Sequence, residues 1–418
     1  MTLSQIQQYV DSQREEILRL CTACGRCVQA CPMLPHLPIK DAPPESTAAG
    51  LLSLLRGEHD SAGAAFADAC CGTQKCRDVC PEGINPYNLT RLAKVAVQQL
   101  SQAKPLAKSL PGPFRMIELS RCLQMPRGQE PWFKGRPPRG AKAEVVFYLG
   151  CNVLRTPHIV LNAIDMLRRI GADFQTLGGG GNCCGISQFR EARWAASDAV
   201  ASNTHRNFAA LSPREVITWC PTCELHFKDF GATYLERPFR VVHVTRFLAE
   251  HLEEVRGQIL PPVAARVALD EHAPLNREDS VAEDVKVFLR AIPGIEIVEV
   301  PQHRYGYQCS ALKNRSAATE ARETLCRGAA SAGVDYLVTI YHSCHRDLVR
   351  SEERYPFQVV NYTSLLARAM GVEHDDRYRQ YKLMADPDQI LEEVLATVGH
   401  NGQTEEDLRL AIQWEFGR

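Results

Sequence analysis

The first cysteines of the chain have the spacing with which iron–sulfur proteins hold their clusters. The run reads C-x2-C-x2-C-x3-C-P and contains Cys21, Cys24, Cys27 and Cys31. In such a run three closely spaced thiolates hold one cluster, whereas the fourth, just before the proline, ligates a neighbouring cluster. The pattern therefore predicts a second group of cysteines that completes both sites.

That second group lies in the segment CCGTQKCRDVCPEGINP. It consists of Cys70, Cys71, Cys76 and Cys80. The group is an imperfect copy of the first run, because Thr73 stands where a full copy has cysteine. Threonine is a poor iron ligand beside soft thiolates, so the second site either lacks a ligand or takes one from elsewhere.

The crossed arrangement of two-cluster ferredoxins divides these cysteines between two sites. We expect a 4Fe-4S cluster at Cys21, Cys24, Cys27 and Cys80. We expect a second cluster at Cys31, Cys70 and Cys76. If Cys71 is a fourth ligand the second cluster is a 4Fe-4S cubane, and if it is not the cluster is a three-iron centre.

Zinc sites and disulfides also use closely spaced cysteines, but both fit this chain less well. Zinc takes four ligands in two pairs, whereas these runs supply three or four thiolates each, followed by a proline. Disulfide frameworks belong to small secreted domains. We therefore interpret the N-terminal region, residues 1–105, as a helical domain with two iron–sulfur clusters.

Composition favours a redox protein of the cytoplasm. The chain has 418 residues, 17 cysteines and a formal net charge of −1. Its N-terminus lacks the basic and apolar regions of a signal peptide, and no stretch has the apolar length of a membrane span, which leaves at most peripheral membrane association. So many cysteines in a cytosolic chain indicate metal or redox chemistry. The balanced charge gives no sign of a nucleic-acid partner.

Residues 106–142 are rich in proline and glycine, which predicts a linker. Its basic residues are interpreted as a solvated surface and are Lys134, Arg136, Arg139 and Lys142. The lone Cys122 belongs to no motif and is interpreted as an ordinary thiol. At the other end of the chain, we expect residues 376–418 to form a helical tail.

From residue 143 onward, predicted strands alternate with helices, which indicates α/β layers around a parallel sheet. Residues 187–211 are predicted to form one long helix. The cysteines here have the pattern C-x31-CC-x35-C-x2-C and are Cys151, Cys183, Cys184, Cys220 and Cys223. Each follows a predicted strand, so the five thiols should meet at one edge of the sheet. We expect the glycine run 178–181 to let the backbone approach a cluster there.

A degenerate second copy of this unit follows. VITWCPTC at 216–223 aligns with LVTIYHSC at 337–344, so the two units are predicted at 143–258 and 259–375. Cys309 and Cys344 persist in the copy, whereas Tyr341 replaces Cys220, and Ala273 or His272 replaces Cys151. These two cysteines are too few for a cluster unless histidines also act as ligands. The candidate histidines are His272, His342 and His345. We interpret them as residues that fill the vacated space and form hydrogen bonds with the backbone.

These motifs resemble those of known iron–sulfur subunits. The C-x31-CC-x35-C-x2-C region resembles the cysteine-rich CCG domains of the heterodisulfide reductase B subunit, the glycolate oxidase iron–sulfur subunit and thiol:fumarate reductase. The N-terminal runs resemble the heterodisulfide reductase C subunit, and CPEGINP resembles the succinate dehydrogenase iron–sulfur subunit. The resemblance implies an α+β multidomain protein: an N-terminal α-helical two-cluster ferredoxin domain followed by two duplicated α/β CCG domains.

The resemblance also implies ligands and cofactors. The five cysteines of the complete motif would bind a noncubane 4Fe-4S cluster, which would be the catalytic or terminal centre. In the succinate dehydrogenase subunit, the C-x5-C-x3-C-P spacing of Cys70, Cys76 and Cys80 contributes to a three-iron centre beside quinone. The chain has no G-x-G-x-x-G fingerprint for flavin or nicotinamide, so a flavoprotein (FAD) partner is expected to carry out that chemistry.

We therefore expect an iron–sulfur electron-transfer subunit of an oxidoreductase complex. Electrons would pass between a flavoprotein and a quinone or other carrier through the two ferredoxin-type clusters and the noncubane cluster. One alternative is a catalytic disulfide reductase subunit, which the broken second motif weakens. Another is a noncatalytic iron–sulfur sensor, which the large cysteine set weakens because a sensor needs one cluster.

Overall fold

The computed structural model describes residues 5–100, 112–231, 239–260, 263–274, 280–306, 314–384 and 386–417. The N-terminal region is helical, as expected. Its helices are Gln5–Leu20 (α1), Arg26–Gln29 (α2), Pro44–Leu55 (α3), Ser61–Asp68 (α4), Lys75–Asp78 (α5) and Pro86–Leu100 (α6). They pack around an apolar core that includes Leu51 and Leu54 of α3 and Leu89 of α6.

Two four-stranded parallel sheets follow, with the same strand topology. In the first the order is β2-β1-β3-β4, and in the second it is β6-β5-β7-β8. The strands are Val145–Gly150 (β1), Phe174–Gly178 (β2), Glu215–Thr218 (β3), Arg240–His243 (β4), Ala265–Asp270 (β5), Ile295–Ile297 (β6), Tyr336–Thr339 (β7) and Gln358–Asn361 (β8). We call the parts of the chain built on these sheets the first and second units. Their common topology confirms the predicted fold class.

Helices connect the strands of both units. In the first unit they are Pro157–Arg169 (α8), Ile186–Arg190 (α9), Trp194–Leu211 (α10), Pro221–Leu225 (α11), Val244–Glu250 (α12) and Leu252–Gly257 (α13). In the second unit they are Val281–Ala291 (α14), Arg315–Ser331 (α15), His342–Leu348 (α16) and Tyr362–Ala369 (α17). The predicted single helix at 187–211 is wrong, because Ala192 adopts φ 55° and breaks it into α9 and α10.

The two units pack against each other reciprocally. Helix α8 follows the first strand of the first unit and contacts α17, which follows the last strand of the second unit. In the same way α14 follows the first strand of the second unit and contacts α12, which follows the last strand of the first unit. The Trp219 ring stacks on Tyr362 with centroids 5.9 Å apart. A single apolar core consequently spans both units, and the duplicated copy serves as a structural partner even where its cysteines are lost.

The segment predicted as a linker is partly structured. Residues Pro113–Cys122 form a helix (α7) that packs on the C-terminal helices, Arg377–Met384 (α18), Pro387–Thr397 (α19) and Glu405–Phe416 (α20). Further along, Trp132 is buried, and Phe133 bridges to Leu177 of β2. Composition alone suggested a solvated connector, but the apolar residues among the prolines attach this segment to the protein.

The glycine run 178–181 serves the same attachment. A Cβ at Gly180 would collide with the Phe114 ring, and one at Gly181 would collide with the Lys134 carbonyl. These glycines thus make room for residues 114–134, a role that the expectation of a close approach to a cluster did not include. The Asn182 side chain strengthens the attachment by donating to the Phe133 carbonyl at 3.1 Å.

A buried carboxylate joins the tail to the first unit. Glu415 of α20 receives hydrogen bonds from Arg155 at 2.7 and 2.8 Å and from Ser120 of α7 at 2.7 Å. Burial by itself would raise the pKa of Glu415, but Arg155 and Arg346 outweigh it and hold the pKa below its usual value. The carboxylate is therefore ionised and fully paired.

Replacing Glu415 by alanine should destabilise the protein by about 3–5 kcal/mol, because it leaves Arg155 unpaired in a mostly buried place. The Glu415 contribution should be present above about pH 4.3, the unfolded-state value, and be lost as the pH falls through the lower folded-state pKa. Urea unfolding followed by tryptophan fluorescence at several pH values measures both effects. Glu405→Ala in the same helix removes an exposed pair with Arg409 and should change stability far less; equal losses would contradict the assignment.

Candidate iron–sulfur sites

The first predicted ligand set meets around one cavity. Four thiols line this small cavity: Cys21, Cys24, Cys27 and Cys80. The loop that carries the first three bends around this space because Ala23 and Gly25 both have positive φ, 55° and 73°. At Gly25 a side chain would also strike the backbone of Pro44. Cys80 thus lies with the first cysteine run, as the crossed arrangement predicts.

The electrostatics of this cavity suit a cationic cofactor. Burial raises the pKa of Cys27 to about 11, and the neighbouring Cys21 and Cys24 contribute to the rise as potential negative charges. Burial and Cys80 likewise raise the pKa of Cys21. Thiols in this arrangement resist ionisation unless positive charge is brought between them, as iron in a cluster does. The donor set therefore fits an iron–sulfur cluster.

The second predicted set adjoins the first. Burial raises the pKa of Cys31 to about 12, with contributions from Cys70 and Cys71. Burial also raises the pKa of Cys76, with contributions from Cys70, Cys27 and Cys31. Because Cys76 senses thiols of both sets, the two sites are neighbours. The Cys71 side chain is buried and belongs to this group.

Thr73 has a different contact. Its hydroxyl oxygen lies 3.5 Å from the amide nitrogen of Lys75, at the start of α5. The threonine thus supports the turn that leads to Cys76. Of the residues between Cys70 and Cys76, Cys71 is the one whose side chain adds a thiol to the second set.

The second unit covers this second set. A Cβ at Gly306 would overlap the backbone of residues 71–73, so only glycine allows this close approach. Tyr305 Oη lies 3.1 Å from His36 Nε2, and Asn314 donates to the His36 carbonyl at 2.6 Å. No sequence motif identified these contacts, because they join residues more than two hundred positions apart. The degenerate unit therefore shields the second ferredoxin-type site.

The third predicted set forms a continuous chain of thiols at the carboxyl ends of β1, β2 and β3. The order of contact is Cys151, Cys183, Cys184, Cys223 and Cys220. Cys184 Sγ and Cys223 Sγ are 3.3 Å apart, and the Gly185 amide lies 3.5 Å from Cys183 Sγ. Cys183, Cys184 and Cys223 are buried. The five cysteines are thus brought together as the strand pattern predicted.

Contact between these thiols shifts the pKa values of neighbouring cysteines in opposite directions. Hydrogen bonding from Cys151 and Cys184 lowers the pKa of Cys183. The same interactions raise the pKa of Cys151 and Cys184, the donors. Five thiols in mutual contact exceed what one cubane or one zinc ion takes, so the donor set fits a larger or bridged iron–sulfur group.

Helix α9 connects the third set to the second. It begins two residues after Cys184, and Gly185 (φ 86°) makes the turn between them, where a Cβ would meet the Ser197 carbonyl. Ile186 packs against both the N-terminal core and the core of the first sheet. Phe189 is buried in the N-terminal core, so this short helix spans the boundary between the two regions.

Aromatic and basic side chains line that boundary. The Arg91 guanidinium lies 5.6 Å from the centre of the Phe189 ring, and the Phe189 ring lies 5.8 Å from that of His226. Burial lowers the pKa of His226 well below its usual value, and Arg91 and Arg190 lower it further. Lys94, Arg91 and Arg190 also oppose the burial that raises the pKa of Cys70. Sequence inspection did not find these residues, since only tertiary packing brings them together.

The second unit presents different chemistry at the equivalent edge. In the first unit Val145 of β1 pairs with Glu215 of β3. In the second unit Tyr336 is the equivalent of Glu215, and it pairs with Val267 of β5. Val267 is therefore the equivalent of Val145, and Ala273, six residues later, is the equivalent of Cys151. Cys344 Sγ lies 3.2 Å from His272 Nε2, and both residues line a small cavity. Cys309 lies outside the described residues.

The three histidines of the second unit contact other side chains, which differs from the expected bonding to the backbone. His272 lies beside Cys344, as described above. The indole nitrogen of Trp219 donates to His342 Nδ1 at 3.2 Å. His345 Nε2 lies 2.8 Å from an oxygen of Asp376.

Comparisons with known proteins agree with this division of sites. Residues 20–85 match the family model of the 4Fe-4S dicluster domain, and residues 145–228 match that of the cysteine-rich domain. The chain is 23% identical to the D subunit of dihydromethanophenazine:CoB–CoM heterodisulfide reductase from Methanosarcina acetivorans, over 84% of this chain and 94% of that protein. It is 25% identical to the B subunit of fumarate reductase (CoM/CoB) from Methanothermobacter marburgensis, over 86% and 74% respectively.

The chain therefore combines a 4Fe-4S dicluster domain with a cysteine-rich domain. The predicted relationship to iron–sulfur subunits of the heterodisulfide reductase type is confirmed, and with it the class of oxidoreductase subunit. A shorter similarity, 23% identity over 42% of this chain, links it to the EtfAB:quinone oxidoreductase of Syntrophomonas wolfei. None of the helices in the described part of the chain has the length and apolar character needed to cross a membrane.

The position of Cys80 provides a direct test of the ligand sets. Cys80→Ser should remove the same cluster as Cys24→Ser, with a loss of about four iron atoms per chain, because both thiols line the first cavity. EPR spectra of the reduced proteins, with iron and sulfide quantification, measure this. Cys122→Ser is the matched control, since that buried thiol lies outside all three sets. If Cys80→Ser instead removed the cluster that Cys31→Ser removes, the crossed assignment would be wrong.

Proposed function

We propose that this chain is an electron-transfer subunit that carries electrons between a flavoprotein partner and a noncubane 4Fe-4S cluster in the first unit. Helix α9 is the observation that carries the proposal. It begins beside Cys183 and Cys184, inserts Phe189 into the core of the N-terminal region, and ends at Arg190, near Cys70. The third and second cysteine sets are thereby connected through packed protein.

The three cysteine sets are the proposed ligands. When bound, iron–sulfur clusters exchange single electrons with little change in geometry. The first set, with Cys80, would hold a 4Fe-4S cluster, and the five cysteines of the first unit would hold the noncubane cluster. Arg91, Arg190 and His226 lie between the second and third sets; the two arginines place positive charge there, which favours additional negative charge on a neighbouring group.

The first set is the proposed contact point for the flavoprotein. Cys24 is exposed, and the nearby Val79 is among the exposed large apolar side chains. The second set, in contrast, is covered by Tyr305 and Gly306. Affinity purification of the chain from its native host should therefore yield bound FAD at a stoichiometric level, and purification without any flavin would count against this partner.

A disulfide reductase is the second candidate, because the relative from Methanosarcina acetivorans bears the name of a heterodisulfide reductase. Two noncubane clusters facing each other would require ligands in both units. In the second unit Ala273 and Tyr341 replace two of the five cysteines, and His272 contacts Cys344. This replacement supports a single noncubane cluster and disfavours two-cluster disulfide cleavage.

Replacing Cys183 and Cys184 together by serine should abolish the noncubane cluster and the turnover of the assembled complex, because two of the five thiols are lost. The ferredoxin-type EPR signals should remain. Cys344→Ser is the matched control: Cys344 is the equivalent of Cys223 in the second unit, and its loss should leave the iron content unchanged. Loss of iron in Cys344→Ser would revive the two-cluster disulfide mechanism.

We further propose that the second ferredoxin-type cluster is a 4Fe-4S cubane completed by Cys71. Its buried thiol lies in the same group as Cys31 and Cys70, whereas the Thr73 hydroxyl lies at the turn into α5. The match to a 4Fe-4S dicluster domain agrees with a full second cubane.

Cys71→Ala should convert this cubane into a three-iron cluster, since one iron loses its protein ligand. The oxidised protein would then show the EPR signal of a three-iron centre and about one iron atom fewer per chain. Thr73→Ala is the control and should leave the spectrum as in the wild type. An unchanged spectrum in Cys71→Ala would show that the thiol is not a ligand.

A further inference from the structure

A second kind of donor group lies away from the cysteine sets, where three parts of the chain meet. It consists of His158 at the start of α8, His345 in α16, and Asp376 just before α18. One imidazole therefore comes from each unit and the carboxylate comes from the segment that leads into the C-terminal helices. Each residue offers one possible ligand atom, a ring nitrogen or a carboxylate oxygen, and these three atoms all lie within 4.8 Å of one another.

The Asp376 carboxylate lies between the two imidazoles. Asp376 Oδ2 lies 2.8 Å from His345 Nε2, and Asp376 Oδ1 lies 3.3 Å from His158 Nδ1. Nevertheless the ring nitrogens of both histidines lack a hydrogen bond of acceptable geometry. Ligands about 2.0–2.1 Å from one tetrahedral ion are about 3.3 Å apart and point at the ion instead of at each other.

Burial makes this arrangement costly without a cation. The side chains of His158 and His345 are 2% and 0% exposed, and buried imidazole nitrogens without partners lose their hydration without compensation. Neutral imidazole is the form of histidine that binds a metal ion. Among the described residues, no lysine or arginine forms an ion pair with Asp376.

A cavity lies beside the site, with His158, Gln124, Gln129, His374 and Arg377 in its wall. Three protein ligands are the usual number at zinc sites that also keep a water. The nitrogen donors exclude magnesium and calcium, which take oxygen ligands, and zinc binds such sites more tightly than iron(II) or manganese(II).

We propose that His158, His345 and Asp376 bind one zinc ion, which fastens the C-terminal helices to both units. The Asp376 carboxylate is well placed for this role, because its Oδ1 also accepts the Arg379 amide at 2.9 Å and so fixes the start of α18. The site shares no ligand with the three cysteine sets, so it does not depend on the iron–sulfur proposal.

Zinc addition to the full-length, iron-replete protein tests the proposal. After anaerobic incubation with Zn²⁺ and desalting, metal analysis should find one zinc per chain. The zinc K-edge absorption spectrum should show nitrogen and oxygen ligands at about 2.0–2.1 Å and no sulfur at about 2.3 Å. The absence of sulfur separates this site from the three cysteine sets and from Cys344, which lies beside His272.

Substitutions of the three proposed ligands test where the zinc ion binds. H158Q, H345Q and D376N should weaken zinc binding by about 100-fold or more and leave the iron content unchanged. Removing a group that only orients a ligand typically weakens metal binding by about 10–100-fold, so a larger loss indicates a ligand. H374Q is the matched control: His374 lines the same cavity but pairs with Asp165 at 2.7 Å, and it should retain zinc. The proposal is overturned if the wild-type protein binds no zinc, or if its zinc has a sulfur ligand and persists in H158Q. Metal analysis and the zinc absorption spectrum of the wild-type protein test the proposal even if a variant fails to fold.

Discussion

The structure depends on bringing cysteine thiols together in buried places. A thiol taken out of water resists ionisation, and a neighbouring thiolate makes ionisation harder still. This protein assembles three groups of thiols, and in the two N-terminal groups the pKa values of Cys27 and Cys31 rise to about 11 and 12. A bound cofactor that carries positive charge would favour the thiolate form of these groups, and the fold holds the thiols where such a cofactor would bind.

The elements around each group supply rigidity. In the N-terminal region, short helices and left-handed turns at Ala23 and Gly25 hold the first set on a packed helical core. In the first unit, the parallel sheet brings Cys151, Cys183 and Cys220 together because the carboxyl ends of its strands lie at one edge. Metal sites require ligands held in place by their surroundings, and the two architectures achieve this by different means.

The second unit shows what a duplicated domain can do after its motif is lost. Its strand order is unchanged and its core is continuous with that of the first unit. Tyr305 and Gly306 cover the second ferredoxin-type set, and His345 contributes to a polar group at the junction with the tail. Because the reciprocal helix packing requires both copies, loss of the ligands was compatible with retention of the fold.

The sequence by itself predicted the candidate ligand residues and determined the fold class. The spacing of Cys21 to Cys31 predicts a cluster-binding loop, and the strand pattern predicts that five cysteines meet at a sheet edge, because both signals are local and periodic. Proline and glycine content misrepresented residues 113–134, since burial of Trp132 and packing of α7 depend on partners far along the chain.

Only the tertiary structure decided how the sites are connected. The break at Ala192 creates α9, and the contact of Phe189 with the N-terminal core joins regions whose motifs are unrelated in sequence. The equivalence of Ala273 to Cys151 also needed the strand register. His158, His345 and Asp376 belong to no motif, because their proximity results from the packing of three distant segments, which local patterns do not encode.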